Sequence, residues 1–159
     1  MMSTYNAQSS QFLDFDIYQF PENELINQHL KGRNGKQFLI ILHCTEAEEK
    51  DLIPYLQKIM GSISIQLEED THYINLPKNM NLNISHLIHL YGFNKILLFG
   101  IAATSLSLNI QPPVYTVFSF MGKKWLSADA LPDIFSERKQ TNRPKAGALW
   151  NALSIMQQD

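Results

Sequence analysis

A chain of 159 residues and 18.3 kDa fits one domain better than two, since domains cluster near ~100–150 residues. With 45% hydrophobic and 18% charged residues, seven Gly and seven Pro, the composition excludes a collagen, a coiled-coil rod or a chain disordered throughout. A net charge of −2 gives no strong basic field for nucleic acid, and the single cysteine, Cys44, cannot close an internal disulfide, which fits a reducing cytosol.

Residues 1–11 are polar, rich in Ser, Gln and Asn, and read as a disordered tail without the basic start and apolar stretch of a secretory signal. Phe12-Leu13-Asp14-Phe15-Asp16-Ile17-Tyr18-Gln19-Phe20 differs sharply: four aromatics and two aliphatics stand among two acids, before Pro21. Such a segment either lies across its own domain's core or docks on a partner, with Phe12, Phe15, Tyr18 and Phe20 as the candidate anchors. Residues 1–21 therefore read as an N-terminal arm and residues 22–159 as a single α/β domain. Glu22–Leu30 is a candidate short helix. Lys31–Lys36 is a basic turn with two glycines; it lacks P-loop spacing and leads into a strand, so it reads as a plain loop.

Phe38–Leu42 is apolar without alternation, as in a central parallel strand. Thr45 and Glu48 form a capping box, and Glu46, Glu48 and Glu49 suit a helix N-terminus. Leu52, Ile53, Leu56, Ile59 and Met60 give the helix one apolar stripe, with Pro54 as an awkward interior residue. Ile63–Leu67 alternates like a short strand, and His72–Leu76 reads as another strand or its continuation. Asn81 or Asn83 caps a helix with Ile84, Leu87, Ile88 and Tyr91 on its apolar face, and Gly92 sits where a left-handed C-cap belongs. Lys95–Ile101 is the second buried strand. Val114–Phe120 and Lys123–Ala128 form a hairpin around Met121-Gly122. Asp129 is placed to cap a short helix at Leu131–Phe135. Thr141 or Asn142 starts the last helix, with Pro144 in its first turn and an apolar face of Ala146, Leu149, Trp150, Leu153 and Met156; Trp150 is expected against the sheet.

This order predicts a three-layer α/β sandwich with a mostly parallel central sheet, helices on both faces and a C-terminal helix. No apolar run reaches the ~20 residues of a membrane span. Ligands of such sheets lie beyond the carboxyl ends of the strands, an edge carrying His43-Cys44-Thr45 and Gly100–Ser105. Cys44 follows a strand and precedes a helix, but the acids behind it raise a thiol pKa, and neighbours on a strand point apart. His86 and His89 stand three apart without a zinc-binding pattern, and Ser105 and Ser107 lack a nucleophile elbow. Arg138, Lys139, Arg143 and Lys145 form a local basic cluster. No catalytic, cofactor or metal residue is assigned.

Trp125–Ile134, a polar spacer and then Pro144–Leu153 resemble the end of the psi subunit of bacterial DNA polymerase III, which also closes with a strand, an Ala/Leu/Asp turn and a helix containing Ala-Leu-Trp. The resemblance covers about 30 residues, plus the upstream order of elements. It implies a uracil-DNA-glycosylase-like fold without the chemistry, no cofactor, protein partners among the clamp-loader subunits, nucleic acid met only indirectly, and a cytoplasmic setting. The docking peptide would fall at Phe12–Phe20. Ser105–Pro113 is an extra loop relative to the family. The alternative is a small glycosylase-like α/β enzyme acting on a nucleobase or nucleotide; no His follows His89 to serve it.

Overall fold

In the computed structural model, residues 28–77 and 80–158 are described; the arm, the candidate anchors Phe12, Phe15, Tyr18 and Phe20, and most of the candidate helix at 22–30 lie outside them. The strands are β1 (Phe38–Leu42), β2 (Thr71–Asn75), β3 (Lys95–Phe99), β4 (Phe118–Phe120) and β5 (Lys123–Ala128). The helices are α1 (Glu46–Gly61), α2 (Leu67–Asp70), α3 (Ile84–Tyr91), α4 (Leu131–Ser136) and α5 (Pro144–Met156). One sheet runs β2-β1-β3-β5-β4, parallel throughout except for the edge pair β4–β5.

The alternation along the strands divides the core. Phe38, Ile40 and Leu42 of β1 point into one cluster with Leu97 and Phe99 of β3, where Leu52, Leu56 and Met60 of α1 and Leu149, Leu153 and Met156 of α5 join them. Leu39 and Ile41 point to the other face, with Ile96 and Leu98, Leu87 and Ile88 of α3, and Trp125. This two-sided burial explains the unbroken apolar runs: a strand covered on both faces has no polar side to display.

Helix ends follow local chemistry in two cases. Thr45 Oγ1 accepts from the Glu48 amide while Glu48 Oε1 accepts from the Thr45 amide, the full capping box. Asn83 Oδ1 accepts from the His86 amide, and Gly92 closes α3 in the left-handed conformation. Pro54 does not break α1; it sits on the exposed side, where water can satisfy the Lys50 carbonyl that loses its helical donor.

Five sequence expectations need correction. Ile63–Leu67 is not a strand: Ser64 takes a left-handed backbone, and the segment turns into α2. Its alternation reflects the insertion of Ile65 and Leu67 into the core. The first arm of the hairpin shortens to Phe118–Phe120, with Val114 forming only an isolated parallel bridge to Ser127. Asp129 does not cap α4, whose N-cap is Ala130 without a side-chain bond; the Asp129 carboxylate instead accepts from the Tyr115 hydroxyl at 2.8 Å. Neither Thr141 nor Asn142 caps α5. Its N-cap is Arg143, and the exposed amides are met by the buried carboxylate of Glu137, which accepts from Lys145 N at 3.1 Å and from Ala146 N at 3.3 Å. Finally, Trp150 is 51% exposed. Leu149, Ala152, Leu153 and Met156 form the buried stripe, and one residue further on, about 100° around the helix, Trp150 falls on its flank.

The buried indole is Trp125, fully enclosed, with Nε1 donating to the Phe120 carbonyl at 2.7 Å. Trp125→Ala is expected to cost ~3–5 kcal/mol, the range for large aromatic truncations in cores, whereas Trp150→Ala should cost less, roughly 1–2 kcal/mol, because half of the indole is already in water; urea midpoints of the two variants check this. Glu137→Ala is expected to cost ~1–3 kcal/mol because it leaves helix donors without their acceptor, with Glu137→Gln recovering part of the loss in the same measurement.

Candidate functional site

The sheet reverses its winding between β1 and β3: β2 lies on one side of β1 and the later strands on the other. The connections that leave β1 and β3 in opposite directions open a space at the carboxyl edge, the usual ligand position of such folds. The opening here is a cleft of about 300 Å³ lined by His43, Leu76, Pro77, Met80, Gly100, Ile101, Ala102 and Ser105. Gly100 is required by the geometry. Its φ is +66°, and an added Cβ would lie 2.7 Å from the Ala130 Cα.

His43 and Cys44, neighbours in sequence, part at this edge. His43 lines the cleft, and its Nδ1 donates to the Leu76 carbonyl at 2.9 Å, since a carbonyl can only accept. Cys44 turns to the opposite side and joins the α1–α5 core. Its backbone is clamped by Asn75, whose Oδ1 accepts from the Cys44 amide and whose Nδ2 donates to the Cys44 carbonyl, both at 3.0 Å. Burial pushes the Cys44 thiol from its ordinary 9.0 up to about 11, helped by the charges of Glu49 and Glu48 and opposed by Lys31. The pair therefore does not form a nucleophile and base.

The remaining sequence candidates are also placed. Asp129 and Tyr115 form a pair beyond β5, where burial and the bond to Asp129 hold the phenol well above its ordinary range. Ser105 lines the cleft from a 3₁₀ turn (Ala103–Leu106), while Ser107 leaves that turn in a left-handed conformation. His86 and His89 are exposed on α3, and no group of three His, Cys, Asp or Glu able to hold a metal occurs among the described residues. His72 packs edge-on against Tyr91 and Phe93.

The basic turn Lys31–Lys36 is structural. The amides of Arg33, Asn34, Gly35 and Lys36 donate to the carbonyls of Glu68, Thr71, Glu69 and Asp70, and Lys31 exchanges two backbone bonds with Tyr73. Its cations lie 3.4–3.7 Å from Glu49, Glu69 and Asp70. Those amides cannot cradle a phosphate.

A second concave region lies between α1 and the segment from α4 to α5, and only part of it is legible in the sequence. The cluster Arg138, Lys139, Arg143 and Lys145 divides: Lys145 pairs with Glu137 at 3.7 Å, while Arg138 and Arg143 turn toward α1 and meet Lys50 and Lys58 around a cleft of about 440 Å³. Arg138 stands 4.2 Å over the Phe135 ring, which packs edge-on against Tyr55. Tyr55 and Lys58 also border an apolar hollow of about 190 Å³ with Ile59, Leu149 and Trp150. Lys50 and Lys58 lie more than 75 residues from the arginines, so only the fold brings them together.

No protein-family model matches the chain, and no curated protein matches it. Among the described residues no helix is long and apolar enough to cross a membrane.

The Cys44 environment sets a pH test. The folded thiol keeps its proton to higher pH than the unfolded one, so its contribution to stability is present below about pH 9 and is lost as pH rises through about 11. Native Cys44 is expected to resist iodoacetamide near pH 8 and to react only as the thiolate forms at higher pH, while the urea-unfolded chain reacts as an ordinary thiol; mass spectrometry of timed reactions reads both rates.

Proposed function

We propose that this chain is a non-catalytic protein-interaction subunit of the replication machinery, resembling the psi subunit of bacterial DNA polymerase III, acting in the cytoplasm and meeting nucleic acid only through its partners. The observation that carries the protein-binding reading is Trp150, a half-exposed indole standing over an apolar hollow rather than in the core. Large aromatics left at a surface beside a concavity are the usual anchors of protein interfaces. The psi-like motif adds support, because its residues fall on β5, α4 and α5, the strand, turn and helix that the resemblance implies. Phe12–Phe20 supplies the second contact in this reading, with Phe12, Phe15, Tyr18 and Phe20 as anchors.

The cleft at the carboxyl edge favours a second reading, a small enzyme acting on a nucleobase or nucleotide. Its described lining offers His43 and Ser105, without a carboxylate, lysine or arginine to pair with either. Release of uracil or another base from DNA by the purified chain would overturn the first reading in favour of this one.

Replacing Phe15 and Tyr18 together by Ala is expected to weaken capture of clamp-loader subunits by 100-fold or more, since an interface anchor is worth ~2 kcal/mol or more and ~1.4 kcal/mol is one decade. The domain should stay folded. Undiminished capture by the double variant would remove the segment from the interface, and unfolding would assign it to the core.

A further inference from the structure

We infer that in the free chain the segment Phe12–Phe20 folds back onto its own domain and fills the groove between α1 and α5. This goes beyond the protein-binding reading, because it concerns what the segment does before any partner arrives.

The groove and the segment are complementary in two ways. The groove joins an apolar half, built on Ile59, Leu149 and Trp150, to a cationic half rimmed by Lys50, Lys58, Arg138 and Arg143, with Asp51 as the one carboxylate in its lining. Neither Lys50 nor Lys58 has an ion-pair partner among the described residues. The segment joins six large apolar side chains to Asp14 and Asp16 and carries no cation. Apolar anchors supply most of the energy of such a contact, and opposite charges fix its register and exclude wrong partners.

The chain also reaches. The described part begins at Gln28, and the Lys31 Nζ lies 3.6 Å from Glu49 of α1, one residue before the groove residue Lys50. The seven residues 21–27 can span at most about 25 Å. That limit is close to the length of α1, whose 16 residues rise about 24 Å, so the linker is long enough to bring the segment to the groove.

Acrylamide quenching of tryptophan fluorescence on the full chain tests this, because Trp125 is enclosed and Trp150 is the indole that quencher can reach. In the wild type Trp150 is expected to be shielded. Asp14→Lys with Asp16→Lys should open it, shifting the docked–undocked equilibrium roughly tenfold for two surface charge contacts reversed. Adding Lys50→Glu and Lys58→Glu to that variant should restore the shielding. A Trp150 that is quenched as a half-exposed indole in the wild type, or a charge swap that restores nothing, overturns the proposal. Shielding that grows with protein concentration also overturns it, by placing the segment on a second copy. Partner capture, measured on the same variants, separates this inference from the protein-binding reading: a shielded Trp150 with no partner captured leaves this one standing alone, and capture through Phe15 and Tyr18 with an open Trp150 leaves only the other.

Discussion

The fold depends on the burial of β1 on both faces. Every residue of Phe38–Leu42 is enclosed, and the strand has a parallel neighbour on each side. A strand in that position needs a helical cover above and below, and the chain supplies α1 and α5 on one side and α3 on the other. It also needs its neighbours on opposite sides, which forces the reversal of winding and opens the carboxyl edge beside His43 and Gly100. The architecture and its sheet-edge cleft thus follow from a single constraint, that the nine apolar side chains of β1 and β3 cannot meet water.

Legibility in the sequence tracks the range of the interaction. Thr45 with Glu48, and Gly92, act within four residues and are legible in the sequence, as is the cap of α3 down to a choice between Asn81 and Asn83, which the bond from the His86 amide decides for Asn83. Phe38–Leu42 and Ile96–Phe99 were readable because burial on both faces leaves a continuous run. Contacts across the fold were not. Glu137 caps α5 from the preceding turn and displaces the local candidates Thr141 and Asn142. Asp129, a plausible cap by spacing, is taken by Tyr115, which the loop before β4 sets beside the end of β5. Trp150 shows the limit of a helical stripe: spacing defines a face about 100° wide but not its centre, and Leu149 rather than Trp150 turned out to be central.

The same distinction applies to the surfaces. The strand-edge cleft was located by sequence, since it needs only the strand ends. The cationic groove is legible only in part: Arg138 and Arg143 stand in one local run, whereas Lys50 and Lys58 belong to α1, and only the fold sets them opposite. Charge that belongs to one patch in space was spread over two segments in sequence, and composition, with its net −2, averaged it away.

The turn Lys31–Lys36 carries a consequence for behaviour at high concentration. β2 is a border strand of the sheet, and a bare border strand offers its free backbone groups to any other chain, a route to aggregates. Lys31 pairs with Tyr73 in antiparallel fashion, and the following amides are bonded to the Glu68–Thr71 backbone, so part of that border is already occupied. The opposite border, β4, is only three residues long and offers little template. Self-association of this domain, when it occurs, is therefore expected to run through side-chain surfaces, which salt and substitution can reverse, rather than through strand addition, which they cannot easily undo.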